Sequence, residues 1–360
     1  MGIMQALPLA VLRRLDPERA HELALAGLAL GCGGRSDPAD DRGLGVSALG
    51  MRFRNPIGMA AGFDKDARVP RALARLGFGF VEAGTVTPLP QGGNPRPRLF
   101  RLIEDAAVVN RMGFNNGGLY RFNGRVERMR TAGGPRKAGE RVPFGANLGI
   151  NKEGADPPRD LAHAAALLAP MADYLVVNLS SPNTPGLRAL QAAAPLREIL
   201  AAIAEAVPQR PPLLVKLAPD LPDAAIAELT GILAESGIVD GLVLTNTLLA
   251  RPAGLRSPFA NENGGLSGRP LRQRSREVLR IAAGAARGRQ LALVSCGGIE
   301  DGADILGRIR DGAALVQLYT RFSVEGPALL RRLKRELRWA MRHEGIDSLD
   351  AVRNSGGTAR

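Results

Sequence analysis

A short run of amide and hydroxyl side chains is the first candidate for chemistry in this chain of 360 residues. Residues 178–186 read Asn-Leu-Ser-Ser-Pro-Asn-Thr-Pro-Gly. The two prolines and the glycine stiffen the loop, while the polar side chains offer donors and acceptors suited to a planar, amide-rich substrate. A second run of the same character, residues 110–116, could form another wall of the same pocket. A simple tight turn is the structural alternative for each run.

A lysine inside an apolar segment is the second candidate. Lys216 stands in the run Leu-Leu-Val-Lys-Leu-Ala-Pro-Asp. A buried, unpaired ammonium is costly unless it meets an anion or loses its proton. Lys216 could therefore form a Schiff base, or it could stabilise the reduced anion of a redox cofactor.

Two glycines late in the chain suggest a phosphate site. Gly297 and Gly298 follow the apolar run that ends at Ser295 and Cys296, and Tyr319 and Thr320 follow the next such run. In (β/α)8 barrels the loops after strands 7 and 8 commonly receive a phosphate through backbone N–H groups and a helix N-terminus. This placement favours a ligand that carries a phosphate.

The elements that must position these residues repeat as strand, loop and helix. The apolar runs are continuous rather than alternating, which is typical of parallel strands covered on both faces. We predict eight strands, at Ile57–Ala61, Phe80–Ala83, Phe144–Leu148, Tyr174–Asn178, Leu213–Leu217, Gly241–Thr245, Leu291–Ser295 and Leu315–Tyr319. Eight such units predict an α/β protein with a closed (β/α)8 TIM barrel, whose functional residues lie at the carboxyl ends of its strands. An open doubly wound sheet is the alternative, although no G-x-G-x-x-G follows the first strand.

Composition excludes several classes of protein. The two cysteines, Cys32 and Cys296, lie far apart and form no CxxC or Cys/His cluster, so we expect no disulfide framework and no metal site. The net charge of +13 would suit nucleic acid, but aromatic residues make up 4% of the chain and offer few surfaces on which bases could stack. We expect no nucleic-acid partner. The Walker A, HExxH and G-x-S-x-G patterns are absent.

The chain divides into three predicted parts. Residues 1–45 read as an N-terminal extension of two helices, the second beginning at Asp16-Pro17-Glu18-Arg19 and ending before Gly31. Residues 46–343 hold the barrel, and residues 344–360 read as a flexible tail. The extension is either an ordinary hairpin packed on the barrel or an amphipathic pair that lies in a membrane surface. No stretch is long and apolar enough to span a bilayer. If the pair lies in a membrane surface, we expect peripheral attachment at the cytoplasmic face of the cell membrane.

Several long motifs, in order along nearly the whole chain, resemble one family. They include LDPERAHE, NPIGMAAGFDKD, NRMGFNN, NLSSPNTPGLR, VKLAPD, GGLSGRP, CGGI and LVQLYT. The sequence is similar to the dihydroorotate dehydrogenases, and within them to the membrane-associated, quinone-dependent class 2. The resemblance implies a barrel with one FMN per chain that oxidises dihydroorotate to orotate in pyrimidine biosynthesis, with quinone as co-substrate. We also expect a monomer.

The resemblance assigns roles by position. Ser181 would be the catalytic base that takes a ring proton from the substrate, and Thr184 and Phe114 would form the proton exit path. The orotate pocket would consist of Lys65, Asn110, Arg111, Met112, Gly113, Phe114, Asn178, Asn183, Asn246 and Thr247. FMN would be held by Ala61, Gly62, Phe63, Asp64, Lys65, Thr85, Asn147, Asn178, Lys216, Thr245, Gly268, Gly298, Tyr319 and Thr320. His21 and Arg101 would approach the quinone.

Three rival functions remain at this point. A dihydrouridine synthase acting on tRNA would suit the positive charge, but that family uses a catalytic cysteine and appends an RNA-binding domain. A lysine Schiff-base aldolase would use Lys216 on the same barrel. A membrane-surface scaffold would use the N-terminal helices alone.

The water-soluble dihydroorotate dehydrogenases carry cysteine where this chain has Ser181, which favours the quinone-dependent class.

Overall fold

A computed structural model describes residues 11–132, 141–184 and 186–355 of the chain. Eight parallel strands close into a barrel, and their order around it follows their order along the chain. The barrel strands are β3 (Ile57–Met59), β4 (Phe80–Val86), β7 (Phe144–Leu148), β8 (Tyr174–Asn178), β9 (Leu213–Leu217), β10 (Gly241–Leu244), β12 (Ala292–Cys296) and β13 (Leu315–Leu318). The prediction of a (β/α)8 barrel is confirmed, and each predicted strand is present within a few residues of its expected bounds. The open-sheet alternative is wrong.

Helices connect the strands and cover the barrel. Between β3 and β13 the helices are α2 (Pro70–Leu76), α3 (Leu119–Thr131), α4 (Pro157–Leu168), α5 (Ala193–Ala206), α6 (Asp223–Glu235), α7 (Arg272–Ala285) and α8 (Gly302–Arg310). The chain ends with α9 (Thr320–Glu325), α10 (Ala328–His343) and α11 (Leu349–Ser355). In the described part of the chain, no helix is long and apolar enough to cross a membrane.

Successive strand residues face opposite layers of the core. In β9, Leu213 and Val215 pack in the cluster that contains Ile199 of helix α5, while Leu214 packs with Val176 inside the barrel. This arrangement buries both faces of each strand and explains the continuous apolar runs in the sequence.

Two rings fill the lower end of the barrel, and glycines make room for them. A side chain at Gly58 would lie 2.2 Å from the ring of Phe80, and one at Gly145 would lie 2.1 Å from the ring of Tyr174. The rings of Phe80 and Tyr174 pack edge to face, with centroids 6.4 Å apart. Phe80 and Tyr174 stand at the amino ends of β4 and β8, so their rings fill the end of the barrel opposite the rim at the carboxyl ends of its strands.

Two small sheets lie outside the barrel, and neither was predicted. Strands β1 (Val46–Ala48) and β2 (Met51–Phe53) form a hairpin. Strands β5 (Leu99–Leu102), β6 (Ala107–Asn110) and β11 (Gly265–Gly268) form an antiparallel sheet in the order β11-β6-β5. The three-stranded sheet lies at the rim of the barrel, where it carries Arg101, Asn110 and Gly268 to the functional site.

The N-terminal extension is helical where the structure describes it. Residues 11–14 are helical, and helix α1 (Pro17–Ala29) begins as predicted, with the Asp16 side chain accepting a hydrogen bond from the Arg19 N–H at 3.0 Å. The first helix was predicted over Leu7–Arg14, and its start lies within residues 1–10, which are outside the described residues. Helix α1 packs against β5 and α2, so the extension covers one side of the rim.

The prediction of a flexible tail over residues 344–360 is wrong for the part that the structure describes. Helix α11 occupies Leu349–Ser355, and Leu349 is almost fully buried. Asp350 accepts hydrogen bonds from the Ser47 N–H at 2.9 Å and from Arg52 at 2.8 Å. These contacts attach the C-terminal segment to the β1–β2 hairpin, and a tertiary contact of this kind leaves no local signal in the sequence. Residues 356–360 lie outside the described residues.

Candidate active site

One large cavity joins the rim of the barrel to the underside of helix α1. Its volume is about 1190 Å³, larger than the roughly 300–1,000 Å³ of a site for a single small ligand. The barrel end is lined by polar side chains such as Lys65, Ser181 and Lys216, while the end under helix α1 includes Leu15, Ala20 and other apolar residues. The cavity therefore has room for more than one ligand, with a polar site at one end and an apolar tunnel at the other.

Most of the predicted site residues line this cavity. They are His21, Ala61, Gly62, Phe63, Lys65, Thr85, Arg101, Asn110, Met112, Gly113, Phe114, Asn178, Ser181, Asn183, Lys216, Thr245, Asn246, Thr247, Gly268, Gly298, Tyr319 and Thr320. They come from most of the barrel strands, from the three-stranded sheet and from helix α1. Four predicted residues, Asp64, Arg111, Asn147 and Thr184, do not line it.

Asp64 and Arg111 brace the site from outside the cavity. The Asp64 carboxylate is buried and accepts hydrogen bonds from the N–H groups of Arg68, at 2.8 Å, and Val69, at 2.7 Å. Burial raises the pKa of Asp64, and these two donors act against that shift. Arg111 pairs with Glu262 at 2.7 Å. These contacts hold the loop that carries Lys65 and the loop that precedes β11.

A chain of hydrogen bonds runs under the site and orients its amides. Asn147 donates to the Glu82 carboxylate at 2.8 Å, so its side-chain oxygen faces Thr85 and Asn178, which donate to it at 2.6 and 3.1 Å. The oxygen of Asn178 in turn accepts from Asn246 at 3.3 Å. A carboxylate can only accept, so Glu82 sets the direction of the whole chain.

Glu82 is a residue that the sequence analysis missed. It is fully buried inside the barrel and also accepts from Gln317 at 2.5 Å and from the Tyr174 hydroxyl at 3.4 Å. An acidic residue within the apolar strand β4 is the same kind of signal that drew attention to Lys216. A charged residue inside an apolar strand is therefore a signal in the sequence that marks Glu82 as well as Lys216.

Ser181 lies on the loop after β8 and is 5% exposed. Its Oγ accepts a hydrogen bond from the N–H of Asn183 at 3.3 Å, and the Asn183 side chain donates to Asn110 at 3.3 Å. This contact joins the two polar runs that the sequence singled out. The Thr184 Oγ1 is buried on the same loop without a hydrogen-bond partner.

Two lysines give the polar end of the cavity its positive charge. Lys216 is buried and reaches the cavity from β9, and Lys65 reaches it from the loop after β3. Burial lowers the pKa of Lys65. The negative charge of Glu18 opposes that shift, but Glu18 is itself paired with Arg96 and Arg98. Both ammonium groups are placed to receive anionic parts of a ligand.

The turn after β12 has the form of an anion cradle. Gly297 and Gly298 both have positive φ, at 114° and 69°, and a side chain on Gly298 would lie 2.3 Å from the Cα of Arg272. From below, the fully buried Arg308 donates to the Gly297 carbonyl at 3.0 Å, and the Ser275 hydroxyl donates to the same oxygen at 2.8 Å. These two donors fix the Gly297 carbonyl, and a glycine turn of this kind can receive a phosphate through its backbone N–H groups.

The apolar end of the cavity holds His21 and Arg101. The His21 ring packs edge to face on Phe63, with centroids 5.1 Å apart. Burial, followed by the nearby charge of Lys65, lowers the pKa of His21 to about 3, so its ring is neutral at pH 7. Arg101 donates to the carbonyls of Arg13 at 3.1 Å and Leu15 at 2.9 Å. Arg101 thereby ties the three-stranded sheet to the chain before helix α1.

Comparison with known proteins identifies the family. The model of the dihydroorotate dehydrogenase family matches residues 43–341. The chain belongs to the dihydroorotate dehydrogenase family. A Rhodospirillum rubrum protein named dihydroorotate dehydrogenase (quinone) is 52% identical over 340 residues, which cover 93% of this chain and 90% of that protein. The mitochondrial mouse protein of the same name is 45% identical over 349 residues, 95% of this chain and 88% of that protein.

Solved structures agree with this assignment. The structure of dihydroorotate dehydrogenase from Eimeria tenella in complex with ferulenol has a TM-score of 0.90 and 39% sequence identity, with 94% of each chain covered. A Thermus thermophilus protein, 49% identical over 354 residues that cover 95% of this chain and 98% of that protein, is also named dihydroorotate dehydrogenase (quinone). In the described residues, no group of three or more His, Cys, Asp or Glu side chains could hold a metal ion.

Proposed function

We propose that this protein oxidises (S)-dihydroorotate to orotate with a bound FMN and passes the electrons to a quinone, in de novo pyrimidine (UMP) biosynthesis. A single observation carries the proposal: in a chain of this family, one continuous cavity joins a polar, lysine-containing site at the barrel rim to an apolar tunnel under helix α1. The polar end suits an anionic, amide-rich substrate, and the apolar end suits a quinone.

The residues present fit a flavin mononucleotide. The Gly297–Gly298 turn offers a phosphate cradle, and Lys216 offers a cation at the other end of the same polar region. A side chain at Gly62 would lie 3.2 Å from the ring of Tyr319, so glycine at this position lets the ring pack closely against the backbone of the cavity wall. A bound flavin supplies a two-electron acceptor that can be reoxidised by a second substrate. Besides these groups, Thr85, Thr245 and Gly268 would contact it.

The dihydroorotate site would be built from Lys65 and the oriented asparagines. Lys65 would pair with the substrate carboxylate, whose negative charge would offset the burial of the ammonium group. Asn110, Asn183 and Asn246 would read the ring amides and carbonyls, because each amide offers both donors and an acceptor. The chain that begins at Glu82 fixes the direction of Asn178 and Asn246, so the ring would meet preset partners.

Ser181 would act as the base. A serine hydroxyl ionises with difficulty, so its surroundings must favour the deprotonated oxygen. The hydrogen bond from the Asn183 N–H to Ser181 Oγ acts in that direction, because it stabilises negative charge on the oxygen. Thr184, on the same loop, and Phe114, on the cavity wall, would form the path by which the proton leaves.

The apolar end would receive the quinone from a membrane. Val11, Leu23 and Leu30 are exposed on the N-terminal extension, with Arg13, Arg14 and Arg19 beside them. Apolar side chains next to basic ones are typical of segments that lie in an anionic lipid surface. We infer peripheral attachment of a monomer at the cytoplasmic face of the cell membrane, with neutral His21 and Arg101 near the quinone head.

Two half-reactions test the function. We expect the purified protein to be yellow and to bleach on anaerobic addition of dihydroorotate. The bleached protein is then offered quinone, fumarate and NAD in turn, and we expect quinone to restore the colour fastest. A colourless protein that borohydride inactivates in the presence of a carbonyl substrate would instead favour a Schiff base at Lys216.

The membrane proposal has its own test. We expect the protein to sediment with vesicles that contain anionic lipid and to remain in solution with neutral vesicles. Leu23→Glu and Leu30→Glu should weaken sedimentation, while Leu89→Glu, at an exposed leucine on another part of the surface, should not. Equal loss in all three variants would contradict attachment through helix α1. Light scattering of the protein in solution tests the monomer.

A further inference from the structure

A buried carboxylate on helix α1 gathers two arginines. Glu18 is 8% exposed and accepts hydrogen bonds from Arg98 at 2.7 and 3.1 Å and from Arg96 at 2.9 and 3.1 Å. Burial alone would raise the pKa of Glu18, but the hydrogen bonds and charges of the two arginines lower it below its ordinary value. Glu18 is therefore ionised at neutral pH and holds both guanidinium groups.

Arg98 connects Glu18 to the loop at residues 92–94, near the rim of the barrel. Its side chain is also buried, and its Nη1 donates to the carbonyls of Gly92 at 2.6 Å and Asn94 at 2.8 Å. The loop packs closely against the backbone of residue 112, since a side chain at Gly93 would lie 2.3 Å from the carbonyl oxygen of Met112. Glu18, Arg98 and residues 92–94 thus form one connected unit.

Asn94 carries the contact into the substrate site. Its side-chain nitrogen donates to the carbonyls of Arg111 at 3.0 Å and Asn183 at 3.2 Å, and its N–H donates to the Met112 carbonyl at 3.0 Å. The N–H of Asn183 in turn donates to Ser181 Oγ. An unbroken series of hydrogen bonds therefore runs from helix α1 to the proposed base.

We propose that Glu18 is a positioning residue for the dihydroorotate half of the reaction, acting through Arg98 and Asn94 on the loop that holds Asn183 and Ser181. This inference rests on the proposed function. Helix α1 would then support the substrate site through Glu18 and also line the apolar tunnel through Ala20 and His21. A deletion of the helix would remove a support of the substrate site together with the tunnel wall, so it would not isolate quinone entry.

The test compares two glutamates on helix α1. Glu18→Gln keeps the size of the side chain and removes the charge that holds Arg98. Glu22→Gln removes a charge one turn further along, where Glu22 pairs with Arg68 at 2.6 Å. Each holoenzyme is mixed rapidly with dihydroorotate under anaerobic conditions, which gives the dissociation constant of dihydroorotate and the limiting rate of flavin bleaching. The prereduced enzyme is then mixed with a short-chain quinone, and the melting temperature of each variant is recorded.

We expect Glu18→Gln to raise the dissociation constant of dihydroorotate about tenfold and to lower the limiting rate of bleaching. Its reoxidation by quinone should stay within about twofold of the parent, as should both half-reactions of Glu22→Gln. An unchanged dihydroorotate half-reaction in Glu18→Gln would overturn the proposal. So would an equal loss in Glu22→Gln, or a slowing of reoxidation as large as that of reduction.

A second variant keeps the proposal testable if Glu18→Gln does not fold. Asn94→Ala cuts the series of hydrogen bonds at its far end and leaves helix α1 and both arginines in place. It should weaken dihydroorotate binding to a similar extent, and normal binding would overturn the proposal. The unmodified protein separates the two levels of inference. If dihydroorotate does not bleach it, the proposed function fails; if dihydroorotate bleaches all variants alike, the role of Glu18 fails alone.

Discussion

Replacing Gly298 by alanine tests the phosphate cradle. Gly298 has φ of 69°, and an added Cβ would lie 2.3 Å from the Cα and 2.4 Å from the N of Arg272. Ordinary contacts of a Cβ begin near 3.4 Å, and the neighbouring atoms are backbone, which cannot swing aside. The turn or the start of helix α7 must therefore move by about 1 Å.

The expected magnitude follows from two separate costs. A non-glycine residue in the left-handed region costs about 1–2 kcal/mol, and this cost appears in the stability of the apoprotein. The displacement misaligns the N–H groups that would face the phosphate, and a hydrogen bond to a charged group is worth about 1.5–3 kcal/mol. We therefore expect Gly298→Ala to weaken FMN binding about 100-fold or more. The affinity of the variant for riboflavin, which lacks the phosphate, should fall much less.

Gly154→Ala is the matched control. Gly154 has a similar φ of 65°, but nothing lies within 4 Å of its added Cβ. Gly154→Ala therefore places alanine in the left-handed conformation without pushing on neighbouring backbone. Fluorescence titration of the apoproteins with FMN and with riboflavin, beside thermal melts, separates the two costs. A phosphate cradle at Gly298 is contradicted if Gly298→Ala binds FMN as tightly as the parent does, or if Gly154→Ala loses as much affinity for FMN.

Three further changes test other parts of the site. Ser181→Ala should keep FMN but lose about 100-fold or more in flavin reduction at neutral pH, and near-normal bleaching would remove Ser181 as the base. Burial lowers the pKa of His21 from 6.5 to about 3, so between these values the unfolded chain binds a proton that the folded protein does not. Stability should therefore fall as the pH falls through this range, and His21→Gln should reduce the difference between urea midpoints at about pH 5 and about pH 7.5; an unchanged difference would contradict the shift. Glu82→Ala leaves the donors of Asn147 and Gln317 unsatisfied, and we expect the apoprotein to lose at least about 2 kcal/mol, a prediction that a loss below about 1 kcal/mol in urea unfolding would contradict.

The barrel and many of the residues that line the cavity could be predicted from the sequence, because burial leaves a pattern in each strand. A parallel strand covered on both faces is largely apolar, and in Leu213–Leu217 the one charged residue, Lys216, stands near the carboxyl end. Eight such strands in a closed barrel bring all of those ends to one rim. Lys65, Ser181 and Lys216 could therefore be placed in one cavity without knowledge of any contact between them.

Residues that act from outside the cavity were harder to place. Asp64, Arg111 and Asn147 were predicted to contact ligands, but in the structure they lie outside the cavity and form hydrogen bonds or ion pairs beside residues that line it. A polar side chain near a strand end can point into the cavity or into the wall, and sequence spacing does not distinguish the two. Glu18 and Arg98 lie 80 residues apart, and their pairing depends on where helix α1 packs.

Local patterns of burial and capping were enough to predict the barrel, the order of its strands, the rim as the place for chemistry and the helical start at Asp16. Tertiary structure decided which distant segments meet. The pairing of β6 with β11 across about 155 residues, the packing of helix α11 on the β1–β2 hairpin and the contacts from Glu18 to Ser181 are of this kind. The reason is physical: a hydrogen bond between distant residues depends on the position of both partners, and neither carries a local trace of the other.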